Sequence, residues 1–404
     1  MAKPGQHCIR LSNIALRGRN AALTLALVVA LAVAATKPAQ AQTFTKLHDF
    51  TGGRDGRGPY APLFRDSAGN LYGTTTAGGT NGCGVGCGTL FKVNASGHES
   101  ILHRFTDETN DGGLPYTSLI RDKAGNLYGT TETGGTFETG TVFKLSPTGK
   151  ITLLYSFTAG NDGGIPAGGL IQDAAGNLYG TTELGGTSGL GSVFKVSPTG
   201  KETVLHSFAG ADGALPYLTS LVMDAKGNLY GVTQQGGASN FGVVYKLSKS
   251  GKFTVLHSFA GGTSDGCEIF GTPAMDKSGN LYGTAEACGA FSEGMVWKVS
   301  SKGIETVLHN FHDSDLNDGA FPYAGVILGT NGTLYGVTIV GGNPGYGTVY
   351  ELSTSGGITI LHNFAGTDGV NPYGGVIRDA NGNLYGTTFN GGSDNVGTVW
   401  KLAP

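Results

Sequence analysis

The chain has 404 residues, of which 72 are glycine and only 14% are charged. Glycine at this frequency, without the three-residue period of collagen, predicts many short strands joined by tight turns. Lys and Arg number 26 against 29 Asp and Glu, a formal net charge of −3, so the chain lacks the positive excess typical of nucleic-acid-binding proteins. Aromatic and aliphatic residues recur at regular positions, which excludes an intrinsically disordered chain.

The N-terminal segment has the pattern of a secretory signal peptide. Basic residues up to Arg19 precede the apolar stretch 21–35, which is too short for a typical membrane span, and the small residues at 39–41 fit a cleavage site. We therefore expect residues 1–41 to be removed and the mature chain, 42–404, to be secreted or periplasmic. An uncleaved N-terminal anchor is the alternative.

The mature chain is more acidic than the full sequence. Loss of the leader removes five basic and no acidic residues, which leaves 21 Lys and Arg against 29 Asp and Glu, a net charge of −8. This charge argues against nucleic acid as a partner and against binding to an anionic membrane surface. We expect no membrane association after the signal peptide is cleaved.

The rest of the chain is one repeat. Each unit contains four short segments rich in β-branched and aromatic residues, such as TSLVMD, NLYGVT, GVVYKL and FTVLHSF in the fourth unit. Four antiparallel strands per ~50 residues is the size of a β-propeller blade. The sequence therefore predicts an all-β fold, a single seven-bladed β-propeller over residues 42–404. The units are counted by the tyrosine of their GNLYG-like motif, at Tyr72, Tyr128, Tyr179, Tyr230, Tyr282, Tyr335 and Tyr385.

The two ends of the repeat are complementary. The segment FTKLHDF at 44–50 is a copy of the fourth strand with no unit before it, and the last unit stops after its third strand, GTVWKLAP at 397–404. With the strands of each blade named a to d from the axis outward, the N-terminal segment is predicted to be strand d of the last blade. This pairing closes the ring and removes the unpaired edges of an open array.

The repeat resembles a known family. The pattern GNLYGTT…GG…GTVFKLSPTGK…LHSF…DG…PY is similar to the Gloeo/Verruco (GloVer) tandem repeat of exported bacterial proteins, and the resemblance covers nearly all of 43–404. It implies export and a propeller-like array. It brings no assigned activity and no catalytic residues.

Two residue types recur once per unit near the end of strand d. An Asp-Gly pair follows every strand d, and its aspartate either caps backbone amides in a turn or supplies carboxylate ligands for Ca²⁺; for the second role, Asp162, Asp212 and Asp265 are the best placed. A histidine lies within strand d in six units, and Tyr155 takes its place in the seventh. Outer strands of different blades lie too far apart to share a metal ion, so we interpret these histidines as packing residues that each keep one hydrogen bond.

Departures from the repeat indicate a candidate site. The position four residues after each motif tyrosine opens the b–c loop, on the face with the longer loops, where propeller function usually lies. In the fifth unit the d–a loop also lacks the usual Pro-Tyr and adds Glu268. We predict a polar ligand bound through Glu132, Glu183, Glu268 and Glu286; plain surface variation is the alternative. The residues at this loop position are Thr76, Glu132, Glu183, Gln234, Glu286, Ile339 and Phe389.

These observations leave two classes of function. The favoured one is an exported binding or scaffold module, expected to be a monomer, with a glycan or an extracellular protein as its ligand. The alternative is a carbohydrate-active enzyme, a polysaccharide lyase or glycosidase, which would need two of the glutamates close together and one of them with a raised pKa. The sequence has no Ser-His-Asp order, zinc-ligand spacing, P-loop or dinucleotide fingerprint.

Four cysteines remain after the leader. Cys83 and Cys87 bracket an insertion in the b–c loop of blade 1, and Cys267 and Cys288 lie in two loops of blade 5 on the same face. In an oxidising compartment this arrangement predicts two disulfides, Cys83–Cys87 and Cys267–Cys288. A four-cysteine zinc site is not expected, because blades 1 and 5 are not neighbours in the ring.

Overall fold

The structure, a computed structural model, describes residues 42–79 and 83–404. The predicted signal peptide, 1–41, lies outside the described residues, so its cleavage and the domain boundary at 42 stay predictions. Residues Phe44–Ala403 form one compact unit. Seven of its sheets are four-stranded antiparallel blades arranged as a ring, which confirms the predicted propeller, and two further sheets each have two short strands in the loops, Gly112–Gly113 with Thr133–Gly134 and Gly266–Cys267 with Ala287–Cys288.

Strands b and c are five residues long in nearly every blade, and strand a is shorter. Blade 1 comprises Phe64–Arg65, Leu71–Thr75, Thr89–Val93 and Glu99–Arg104; blade 2 comprises Ile120–Arg121, Leu127–Thr131, Thr141–Leu145 and Ile151–Ser156; blade 3 comprises Ile171–Gln172, Leu178–Thr182, Ser192–Val196 and Glu202–Ser207; blade 4 comprises Val222–Met223, Leu229–Thr233, Val243–Leu247 and Phe253–Ser258.

The remaining three blades follow the same order. Blade 5 comprises Ala274–Met275, Leu281–Ala285, Met295–Val299 and Glu305–Asn310; blade 6 comprises Ile327–Leu328, Leu334–Thr338, Thr348–Leu352 and Ile358–Asn363; blade 7 comprises Val376–Arg378, Leu384–Thr388, Thr398–Ala403 and, as strand d, Thr43–Asp49. A single helical turn, Asp313–Leu316, lies in the loop between blades 5 and 6. No helix within the described residues has the length and apolar character needed to cross a membrane.

The N-terminal strand closes the ring as predicted. It lies beside Thr398–Ala403, strand c of blade 7. The Phe50 amide donates to the carbonyl of Gly397 at 3.1 Å, and the Ser393 hydroxyl donates to Asp49 at 3.1 Å. The two ends of the chain therefore share one sheet.

The core lies between neighbouring blades and depends on a glycine in strand b. A Cβ on Gly73 would lie 2.5 Å from the ring of Phe91 in strand c, and the equivalent glycine of every other blade faces an aromatic ring in the same way. Removing the side chain from strand b therefore makes room for a buried aromatic residue in strand c. These rings join the blades: one cluster packs Phe91 of blade 1 against Phe50 and Val399 of blade 7.

The remainder of the GNLY motif stabilises the a–b turn. Asp66 accepts hydrogen bonds from the backbone and side chain of Asn70 and from the Tyr72 hydroxyl. Blades 2, 3, 4, 5 and 7 repeat these contacts, whereas blade 6 has Gly329 in place of the aspartate. The most visible motif of the sequence is thus explained by folding alone.

The b–c and d–a loops share one face, as predicted, and we call it the longer-loop face. In every blade the loop entering strand a forms a short antiparallel bridge with the b–c loop. The bridges are Arg57–Ala77, Gly112–Gly134, Gly164–Leu184, Ala214–Gln235, Gly266–Cys288, Ala320–Val340 and Val370–Asn390.

Candidate functional site

The loop position that carries the predicted glutamates is fixed by the same backbone hydrogen bond in all seven blades. Its N–H donates to a d–a loop carbonyl at 3.0–3.2 Å, as from Glu132 to Leu114 and from Glu286 to Glu268. Each accepting residue has a left-handed backbone, with φ between 50° and 62°, although only Gly58 among them is glycine. Left-handed non-glycine residues are strained and concentrate at functional sites.

Two residues beyond this strained position, the d–a loops direct aromatic rings toward the axis. Tyr60 stacks on Tyr373 at 4.8 Å between ring centroids and meets Tyr116 and Tyr323 edge-on at 5.2 and 5.8 Å. These four tyrosines come from blades 1, 2, 6 and 7, so their rings meet across the axis. We define the tyrosine cluster as Tyr60, Tyr116, Tyr217, Tyr323 and Tyr373.

The two remaining blades differ at this position. Blade 5 carries Phe270, which stacks on Tyr323 at 4.4 Å. Blade 3 carries Ala167, whose small side chain lines the channel where other blades provide a ring. The aromatic ring of residues is thus interrupted at blade 3.

The tyrosine cluster forms one end of an apolar channel along the axis. The cavity has a volume of about 510 Å³ and is lined by Tyr60, Tyr116, Tyr323 and Tyr373 together with residues in, or directly before, strand a of all seven blades. Leu63 and Leu170 are typical of its walls. The lining is therefore aliphatic along the walls and aromatic at the end formed by the tyrosines.

Glu132 and Glu183, from blades 2 and 3, form the first carboxylate pair. Burial raises the pKa of Glu132 to about 8; the charge of Glu183 adds to this rise, and a hydrogen bond from Tyr217 opposes it. Burial likewise raises the pKa of Glu183. Burial and the charge of Glu132 raise the pKa values of Tyr116 and Tyr217. Two acids and two tyrosines thus lie close enough to influence one another.

Glu268 and Glu286, both in blade 5, form the second pair. Burial raises the pKa of Glu286 to about 7, and the charge of the exposed Glu268 adds to the shift. Burial raises the pKa of Tyr323 and of Tyr373, and Glu286 contributes to both. The four predicted glutamates therefore form two pairs beside the tyrosine cluster; their role in binding stays a prediction.

Both predicted disulfides are confirmed. Cys267 and Cys288 are joined across the two loops of blade 5, with their Cα atoms 5.5 Å apart. Cys83 and Cys87 are joined within the blade 1 loop, with Cα atoms 5.1 Å apart. The Cys267–Cys288 bridge joins the two loops that carry Glu268 and Glu286.

The predicted Ca²⁺ ligands have different surroundings from the glutamates. Asp162 accepts from the Tyr155 hydroxyl at 2.9 Å, Asp212 contacts His206 at 2.9 Å, and Asp265 lies 3.4 Å from His257. Each aspartate also accepts a backbone N–H just after strand d, which is the turn-capping role. These partners lie in strand d of the same blade or directly after it, and the Ca²⁺ assignment stays a prediction.

Sequence analysis missed the tyrosine cluster as part of the site. Its signal is the Pro-Tyr pair of the d–a loops, which is part of the repeat pattern and is absent from blade 5. Because the pair occurs in five blades, it was read as part of the repeat. The convergence of the d–a loops on the axis brings these repeated tyrosines into contact, which a single repeat unit does not reveal.

Comparisons with known proteins agree with this architecture. Among solved structures, streptogramin B lyase aligns with a TM-score of 0.58 at 13% identity, covering 89% of this chain and 97% of that one. The extracellular domain of a protein described as a one-component system from B. thetaiotaomicron aligns with a TM-score of 0.54 at 12% identity, covering 89% and 40%. Puromycin hydrolase aligns with a TM-score of 0.53 at 14% identity, covering 83% and 50%. At these identities the likeness shows the fold alone.

Sequence comparison identifies the family. No curated protein matches the chain significantly. The Gloeobacter/Verrucomicrobia repeat matches residues 33–173, 85–271 and 269–404, which together span nearly the whole chain. The chain belongs to the Gloeobacter/Verrucomicrobia repeat family.

Proposed function

We propose that this protein is an exported binding propeller whose longer-loop face holds a hydroxyl-rich ligand, such as a glycan, at the axis. One observation carries the proposal: Glu132 and Glu183 lie beside Tyr116 and Tyr217 where the channel reaches that face. Tyrosine rings offer flat apolar surfaces with a polar tip, and carboxylates accept hydrogen bonds from hydroxyl groups. This combination suits a sugar ring, which has apolar faces and a hydroxyl-bearing rim.

The state of Glu132 supports a polar ligand. Its Oε1 atom is buried and has no hydrogen-bond partner among the described residues. A buried acceptor without a partner costs about 1–3 kcal/mol, which a ligand hydroxyl would recover on binding. Blade 3 has Ala167 where other blades have a tyrosine, so fewer aromatic rings surround the Glu132–Glu183 pair than surround the rest of the tyrosine cluster.

The cellular location fits this proposal. Two disulfides are typical of proteins in oxidising compartments, and the leader has the pattern of a signal peptide. A secreted or periplasmic propeller would meet glycans of the cell envelope or the surroundings. The net charge of −8 for residues 42–404 disfavours polyanionic glycans and favours neutral or cationic ones.

Glycoside hydrolysis is a second candidate, favoured by the unequal carboxylates of the first pair. With a pKa of about 8, Glu132 holds its proton at neutral pH and has the state required of a general acid. Glu183, the more accessible partner, would serve as base or nucleophile. Two carboxylates in unequal environments are the arrangement that glycosidases use.

A glycan-array screen of the purified mature chain, followed by calorimetry, tests the proposal. Glu132→Gln and Glu183→Gln keep the side-chain shape but replace one carboxyl oxygen with an amide group that can only donate, so each should weaken binding at least tenfold. Glu138→Gln is the matched control, because Glu138 is exposed in the same loop as Glu132. A binding glycan whose affinity is unchanged in both site variants would refute the proposed site.

The same variants separate binding from catalysis. If the protein is a glycosidase, Glu132→Gln should abolish release of reducing ends from the bound glycan while retaining measurable affinity. Absence of any turnover by the wild type on glycans that it binds would leave binding as the function and exclude the second candidate.

A further inference from the structure

The histidines of strand d fall into two groups. In blades 1, 3, 5 and 6 the Nε2 atom lies 2.7–3.0 Å from the aspartate of the following Asp-Gly pair, in the pairs His103–Asp111, His206–Asp212, His309–Asp318 and His362–Asp368. In blade 4 the distance from His257 to Asp265 is 3.4 Å, and in blade 7 the distance from His48 to Asp55 is 4.0 Å. The Nε2 atoms of His257 and His48 are both buried without a hydrogen-bond partner among the described residues.

The identity of one residue in the next blade separates the closely paired histidines from the two that lack a hydrogen bond. This residue lies four positions before the strand-d histidine of its own blade, or before Tyr155 in blade 2. Phe253 stacks on His206 at 3.8 Å, and Phe44 stacks on His362 at 4.0 Å. The equivalents for His103 and His309 are Ile151 and Ile358. For the two open pairs the equivalents are Glu305, next to His257 and Asp265, and Glu99, next to His48 and Asp55.

The added carboxylate leaves several ligand atoms facing one another without partners. The Oε1 atoms of Glu305 and Glu99 are buried and lack a hydrogen bond among the described residues, as do the two histidine nitrogens. Buried polar groups are normally satisfied, so orphaned donors and acceptors at one point need an explanation. Among the described residues, an orphaned histidine nitrogen and an orphaned glutamate oxygen occur together at two blade junctions, both of which combine histidine, aspartate and glutamate. At the Tyr155 junction the Oε1 atom of Glu202 also lacks a partner, but the tyrosine hydroxyl there already bonds to Asp162.

The blade 4–5 junction has the geometry for one ion. Ligand atoms of His257, Asp265 and Glu305 all lie within 4.8 Å of one another. Ligand bonds of about 2.0–2.2 Å bring neighbouring ligand atoms to about 3–3.5 Å, so small side-chain rotations are sufficient. Asp265 is already oriented by N–H groups of Ala260 and Gly266, both at 2.7 Å, which is the support that metal-binding carboxylates usually have.

We propose that His257, Asp265 and Glu305 form a binding site for a divalent transition metal between blades 4 and 5, and that His48, Asp55 and Glu99 form a more open site of the same kind between blades 7 and 1. One imidazole nitrogen and two carboxylate oxygens suit Zn²⁺ or Mn²⁺ better than Ca²⁺, which prefers oxygen ligands alone. The ion would join strands of two blades. The site lies in the outer strands, apart from the tyrosine cluster, so it is independent of the proposed function.

Calorimetric titration of the metal-free mature chain with ZnCl₂ tests the proposal. The wild type should bind one Zn²⁺ tightly and a second more weakly, with a rise in melting temperature. Glu305→Ile should remove the tight site, lowering its affinity at least tenfold, yet fold normally, since blades 2 and 6 carry isoleucine at this position. Glu99→Ile should remove only the weaker site.

The matched control is Glu202→Ile. Glu202 occupies the same position, but it faces the junction that has Tyr155 instead of histidine, and the Tyr155 hydroxyl already bonds to Asp162. Zn²⁺ binding should therefore be unchanged in this variant. Co²⁺ titrated into the wild type should give an absorption spectrum that His257→Asn alters.

Three outcomes would overturn the proposal. They are no Zn²⁺ binding by the wild type, Zn²⁺ affinity unaffected by Glu305→Ile and His257→Asn, and saturation by Ca²⁺ where Zn²⁺ does not bind. The first would indicate that the two carboxylates share a proton instead of an ion, the second that Zn²⁺ binds elsewhere in the chain, and the third that the site uses oxygen ligands alone.

Discussion

Truncation of Phe50 tests whether the N-terminal strand contributes as much to the free energy of unfolding as the strand d of any other blade. Its side chain is 1% exposed and lies 5.1 Å from the Phe91 ring of blade 1. Removing a fully buried phenylalanine side chain costs about 3–5 kcal/mol in transfer and cavity terms. Phe50→Ala should therefore lower the free energy of unfolding by that amount, although it is close to the start of the mature chain.

Phe364 provides the matched control. It occupies the same position in blade 6, is 0% exposed, and follows a strand that is continuous with its own blade. If the ring is closed as described, Phe50→Ala and Phe364→Ala should shift the urea midpoint equally. A Phe50→Ala variant that unfolds like the wild type, beside a destabilised Phe364→Ala, would refute ring closure by the N-terminal strand.

Three further predictions concern single groups. Tyr245→Phe removes a buried hydroxyl that lacks a partner among the described residues and should raise stability by about 1 kcal/mol, whereas Tyr179→Phe loses a hydrogen bond and should lower it by a similar amount in the same urea assay. Replacing Cys267 and Cys288 together by serine opens a loop with a separation of 21 residues and should cost about 3 kcal/mol, measured by thermal melting without reductant. Burial raises the pKa of Glu132 from 4.5 to about 8, so the folded chain binds this proton more tightly than the unfolded chain; stability should fall as pH rises from about 4.5 to about 8, and Glu132→Gln should be more stable than the wild type at pH 8 but not at pH 4. Equal pH profiles for the two proteins would contradict that assignment.

The fold could be predicted from the sequence because the copies of each repeat motif give the number of blades and of strands. Seven motif tyrosines count the blades, and one unpaired FTKLHDF matches one missing strand d, so ring closure follows without coordinates. The pairing of Cys267 with Cys288 could also be predicted, since two loops of one blade on the same face must be neighbours. These inferences need only the order of strands within a unit.

The candidate site could be predicted only in part from the sequence, because its contacts join different blades. That Glu132 is close to Glu183 and Tyr217 depends on how blades 2, 3 and 4 converge at the axis, which a repeat unit does not encode. The contact of Glu305 with His257 likewise spans a junction, and it was hidden by the regularity of the histidines. Contacts within a unit could be predicted, whereas those between units required the ring.

A crystal structure of the mature chain with the glycan that binds most tightly in the array screen tests the central claim most directly. We predict sugar density at the axis on the longer-loop face, with a sugar ring against Tyr116 or Tyr217 and a hydroxyl within hydrogen-bond distance of Glu132 or Glu183. Density confined to the opposite face or to the outer strands, with the tyrosine cluster unchanged from its free arrangement, would contradict the claim.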